Sequence, residues 1–179
     1  MRDHLLGIWR KIVAQAVVGV LALTLGLSPG CRTAGHAPRS LQFAQPTAEA
    51  VAAEVLQALA TRDAGRLERL LVTRDEFCSF VWPELPSRDI PNLTCDWVWE
   101  AFEPMNRAKS AELMATHGGR QYHLVRLTCA GHSSYRTFTV HEKPRVTIRD
   151  TSGREHDLRL FGSVLQLGNQ FKLLSFGED

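Results

Sequence analysis

The sequence predicts an α+β domain in which N-terminal helices pack on a curved four-stranded antiparallel sheet. Three observations predict it. Between residues 119 and 176, four apolar runs at 121–130, 135–148, 157–167 and 171–176 follow one another with the spacing of strands. Two of the connections, Asp150-Thr151-Ser152-Gly153 and Gly168-Asn169, are too short for a crossover, so the strands they join must run antiparallel. Ahead of the sheet, residues 47–117 repeat their apolar groups every three to four positions, which is the period of helices.

In chain order, the first 31 residues read as a separate object. Arg2, Arg10 and Lys11 form a basic head, and residues 12–27 are an uncharged apolar run interrupted only by Gln15 and Thr24. That is the layout of an export signal. The run is shorter than the roughly 20 residues needed to span a bilayer core, so a membrane helix is the second reading. Residues 32–46, with two prolines, Gly35 and few large apolar groups, read as a flexible linker, with docking of Leu41 and Phe43 on the domain as the alternative. The folded domain is expected over residues 47–179, enough chain for one core.

Within that domain Thr47 is a good N-cap for a helix over 47–60, whose Val51, Val55, Leu56 and Leu59 share a face. A second helix starts at Asp63 and turns Leu67, Leu70 and Leu71 inward. Thr73-Arg74-Asp75-Glu76 has the pattern of a capping box and opens a third, short helix carrying Phe77, Phe80, Val81 and Trp82. Pro83, Pro86 and Pro91 predict an extended loop over 83–93. Residues 96–117 are helical again, with Val98, Phe102 and Met105 on one side and Gly118-Gly119 as the stop; Pro104 is expected to kink or divide this helix. In the first strand, Tyr122 and Leu124 alternate with Val125, Leu127 and Cys129, so both faces should be at least partly covered. In the third, Leu158, Leu160 and Val164 face one way and Phe161, Leu165 and Leu167 the other.

Charge excludes one class of partner. The chain has 21 basic and 19 acidic residues, but 3 and 1 of these lie in residues 1–31, leaving 18 of each in the remainder. A neutral domain gives no basis for nucleic-acid binding. The search for chemistry finds no catalytic set and no cofactor motif. There is no Gly-x-Ser-x-Gly elbow and no phosphate-cradling glycine loop. The nearest approach to a metal motif is Cys129-Ala130-Gly131-His132, with His117, His123, His141 and His156 scattered, so no metal site is expected. Glu100 and Glu103 read as the solvated side of a helix. The aromatic residues Phe80, Trp82, Trp97 and Trp99, with Phe77 and Phe102, read first as core, and secondly as the rim of an apolar pocket.

Of the four cysteines, Cys31 ends the export signal, and three others remain for an oxidising compartment. At most one bridge then forms within a monomer, and spacing alone does not separate the three pairings. Cys78 with Cys95 is favoured because both flank the Pro-rich segment, with Cys129 as a small buried hydrophobe. Closing a loop of that size contributes about 3 kcal/mol in the chain-entropy picture.

Two resemblances add to this reading. Leu27-Ser28-Pro29-Gly30-Cys31 resembles the lipobox of bacterial lipoproteins. The resemblance implies that Cys31 receives a lipid and becomes the mature N-terminus. Secretory cleavage near Gly35 and Ala37 and an uncleaved anchor are the alternatives. Arg32 after the cysteine implies the outer membrane facing the periplasm in an organism that has one. The order of helices followed by a meander, carried by residues 55–63 with Leu70-Leu71 and by 158–163 with 170–176, resembles the nuclear transport factor 2-like, or SnoaL-like, cone fold. That fold surrounds a conical cavity, which serves some members as an active site and others as a binding pocket. The catalytic acid and tyrosine of its isomerase members have no match that can be placed here. The expectation is therefore a lipid-anchored envelope protein whose domain binds a small apolar ligand or a protein partner without catalysis. An isomerase or dehydratase and a structural envelope component are the alternatives.

Overall fold

The computed structural model describes residues 40–177. The expected export signal, Cys31 and residues 32–39 of the expected linker lie outside the described residues. The remainder of that linker is docked, which corrects the expectation of a flexible segment reaching to residue 46. Leu41 is buried, its amide donates to Gln170 Oε1 at 3.1 Å, and Gln45 exchanges two 2.8 Å backbone hydrogen bonds with Phe171. An unpaired sheet edge and an apolar side chain to bury hold this strap down; Phe43 remains exposed.

Four α-helices and five strands are present among the described residues. Helix α1 (Ala48–Ala60) is capped by Thr47, whose Oγ1 accepts from the amide of Ala50, and it buries Val51, Ala52, Val55, Leu56, Ala58 and Leu59. Helix α2 (Ala64–Arg69) is capped in the same manner by Asp63. The capping box of Thr73 and Glu76 opens α3 (Arg74–Glu76), which widens into a π-helical turn at Phe77–Val81. Where an extended loop was expected, two 3-10 turns follow, Trp82–Glu84 and Pro86–Asp89. Proline in the first turn of a helix loses no intrahelical bond and arrives with a suitable φ, so Pro83 and Pro86 start turns here instead of preventing them.

Helix α4 (Cys95–His117) runs undivided through Pro104. The carbonyl that Pro104 leaves without a partner belongs to Glu100, and both residues are exposed, so water can satisfy it.

The sheet has five strands, not four: β1 (His123–Ser134), β2 (Thr139–Arg149), β3 (Glu155–Leu158), β4 (Ser163–Leu167) and β5 (Gln170–Ser175). All pair antiparallel in the order β1-β2-β4-β5, and β3 pairs with the other half of β2. The run expected as one third strand is thus broken into β3 and β4. Val146 faces Leu158 and Glu142 faces Ser163, so Lys143, Pro144 and Arg145 oppose four residues, 159–162. The extra residue ends the ladder and tucks Leu160 and Phe161 into the core. Gly162 lies so close to the carbonyl of Gly177 that any side chain would collide with it. The hairpin at Gly168-Asn169 joins β4 and β5 with Gly168 at φ +60.

A second irregularity reassigns the faces of β1. The β1–β2 register shifts between Leu124 and Arg126, so Val125 is bulged outward and 41% exposed. Tyr122, Leu124 and Leu127 then all pack against the same core, where strict alternation had split them between two faces. Alternate residues of β4 and β5 feed two cores. Val164 and Leu173 join α1, Val146 and Ile148, whereas Leu165 and Leu174 join Leu41, Phe77, Val81, Val98 and Val140.

Candidate functional site

A feature of the described residues with the character of a site is an open cleft of about 620 Å³ at one end of the sheet. It lies between the end of α4 with the chain leading into β1, the end of β2, and β3 with the turn before it. Its apolar wall comes from the sheet. In the antiparallel ladder Leu124, Ile148 and His156 stand opposite one another, as do Val146 and Leu158, so Ile148, Leu158 and His156 share one face. The opposite wall is the end of α4 and the chain leading into β1, with His117, Arg120 and Tyr122. The Asp150–Arg154 turn closes the rim.

Two hydrogen-bonded pairs occupy this cleft. Tyr122 Oη lies 3.1 Å from His117 Nδ1, with the rings edge to face. Burial, with the positive charge of Arg120 adding to it, pushes the His117 imidazolium below its ordinary pKa and favours the neutral ring. With its proton on Nε2, that ring accepts from the Tyr122 hydroxyl.

The second pair is Asp150 and His156, whose Nε2 is 2.9 Å from Oδ2. The other carboxylate oxygen of Asp150 accepts from the Ser152 amide at 2.8 Å, the Ser152 hydroxyl at 2.6 Å and the Arg154 amide at 3.0 Å. The Ser152 hydroxyl and then His156, with further help from the backbone amides, hold the Asp150 carboxyl far below the usual carboxylate range. Asp150 therefore stays ionised, and its acceptor positions are largely taken by its own turn.

The residues singled out in the sequence lie elsewhere. Cys78 and Cys95 are joined in a disulfide with Cα atoms 5.7 Å apart, tying the π-helical turn to the start of α4. Around it, Trp99 packs against Phe77 and Phe102 at 5.7 and 5.9 Å, Phe80 and Trp82 are half-buried against the second core, and Trp97 is at the surface. None of Phe80, Trp82, Trp97 and Trp99 lines the cleft.

Cys129 is free and half-buried, its thiol pushed up chiefly by burial and further by Glu49. Among the described residues no group of three or more His, Cys, Asp or Glu side chains is placed to hold a metal ion. His132 and His141 face each other across β1 and β2, and His141 is tied to Gln166 at 2.8 Å.

Sequence reasoning missed the cleft because its residues come from a helix end, a strand start and a turn, with no spacing in common. It also missed a buried ion pair. Lys172 Nζ lies 2.8 and 3.1 Å from the two carboxylate oxygens of Glu76, both side chains being 1% exposed. Those oxygens also accept from the amides of Gln42 and Thr73 at 2.6 and 2.7 Å, so one carboxylate links the strap, α3 and β5. Burial lowers the Lys172 pKa, opposed by the hydrogen bond and charge of Glu76.

No protein-family model, no curated protein and no solved structure matches this chain.

Proposed function

We propose that this protein is a lipid-anchored component of the cell envelope, related to the nuclear transport factor 2-like proteins, that binds a small molecule in its cleft without catalysis. The carrying observation is the cleft itself. Its volume of about 620 Å³ falls within the range of small-molecule sites, and its walls divide into an apolar floor and a few convergent polar groups. The lining narrows the apolar ligand expected from the sequence to one with a polar end. The anchor rests on the N-terminal signal and Cys31.

Full-length protein purified from membranes and examined by native mass spectrometry should carry a small molecule that is lost in Leu158→Asn. Protein that carries nothing, from the cells that naturally make it, would count against the binding reading.

One observation favours a second reading. The His117–Tyr122 pair places a neutral base and a hydroxyl donor together at the wall of an open cavity, which is what proton transfer in an isomerase or dehydratase requires. On that reading, turnover of a substrate seated on Leu158 disappears in Tyr122→Phe while its binding is kept.

A further inference from the structure

We infer that the ligand of the cleft is an amphiphilic monoanion, a carboxylate on a hydrocarbon body, with Arg120 as its charge partner. This rests on the reading of the cleft as a binding site and adds the chemistry of the ligand. The first ground is charge. The lining holds two guanidinium groups and one carboxylate, Asp150, so one positive charge is left over even with both histidines neutral.

The second ground is how those charges are engaged. Asp150 is the acceptor for its own turn and for His156, and that network positions Arg154, whose Nε is 3.0 Å from Ser152 Oγ and 3.5 Å from Asp150 Oδ2. Arg120, by contrast, makes no side-chain hydrogen bond or ion pair among the described residues. It is the unused cation of the cleft, and the positive charge it adds beside His117 is already felt there.

Opposing these cations is the partial negative charge at the end of α4. Arg62, whose guanidinium lies against Gly119, stands at that helix end and offsets it. A guanidinium suits a carboxylate because it offers two parallel N–H donors. A single surplus charge matches a monoanion, and a doubly charged phosphate would be left half-neutralised. The hydrocarbon body follows from Leu158 on the sheet wall and the Tyr122 ring on the wall opposite, with Ile148 fully buried in the lining.

The test is calorimetric titration of the full-length chain in phosphatidylcholine nanodiscs, blanked with empty discs, using 4-phenylbutyrate and its uncharged counterpart 4-phenylbutanamide. The acid is expected to bind about tenfold more tightly than the amide, as one charge-assisted hydrogen bond provides. Arg120→Gln should bring the acid to the affinity of the amide and leave the amide unchanged, whereas Leu158→Asn should weaken both. An unchanged thermal midpoint shows that the fold survives the Arg120 substitution at its exposed site. Equal binding of the two probes, or an acid affinity indifferent to Arg120→Gln, overturns the anion inference and leaves the binding site standing. Binding of neither probe overturns both.

Discussion

A carboxylate from residue 76 and an ammonium from residue 172 form the most buried polar contact described here, and its energetics are those of two charges removed from water. Together they are satisfied; alone either is costly. Lys172→Met, which leaves the Glu76 carboxylate with only the Gln42 and Thr73 amides, should destabilise by about 3–5 kcal/mol in urea unfolding, and adding Glu76→Gln should recover part of that. A loss below about 1 kcal/mol would show that water reaches the pair. His117 supplies a pH dependence at the same scale. Its folded pKa lies below the ordinary 6.5, so just below that value the unfolded chain binds more protons than the native one. Stability should therefore fall as pH is lowered from about 7.5 to about 5.5, and His117→Gln should flatten this part of the thermal-midpoint profile. Contacts at this scale were legible in the sequence when they were local. Thr47, Asp63, and Thr73 with Glu76 cap amides three residues on. The second role of Glu76 was not, because its partner is 96 residues away and Lys172 looks like an interruption in an apolar run.

Among the elements, helices were easier to read than strand faces. Period 3.6 tolerates a displaced residue, but period two does not: one bulge inverts everything after it. That is why Leu127 was assigned to the wrong side of β1 and why β3 and β4 were read as one strand. The bulge has a measurable signature. Val125→Asp, at the outward bulge, should change stability by no more than about 0.5 kcal/mol, whereas Leu127→Asp, two positions on, should cost upwards of about 2 kcal/mol. Comparable losses from both would restore the regular register and remove the bulge. The disulfide acts on elements too. It fixes the first turn of α4 to the π-helical turn, where the chain between makes only 3-10 turns and no ladder.

For the whole molecule, the two ends of the sheet order carry different duties. The strap is laid along β5, the last strand in the order, and the cleft is built from β1, β2 and β3. The general architecture was readable from the meander and the helical stripes. The cleft was not, because its lining is gathered from a helix end, a strand start and a turn that only the fold brings together. The proposed anchor is tested at this scale. Cys31→Ser should move the protein from the membrane to the soluble fraction, and mass spectrometry should show the acyl mass only on the native protein. An unmodified, soluble native product removes the anchor. If Cys31 is held at the bilayer, the docked strap also sets a leash. Residues 32–39 separate Cys31 from the first described residue, and the nine steps from residue 31 to residue 40 span at most about 32 Å. With so short a tie fastened beside β5, the domain would patrol a thin layer next to the membrane, and its mouth, on the far side of the sheet order, would stay open to solutes arriving from the surrounding compartment.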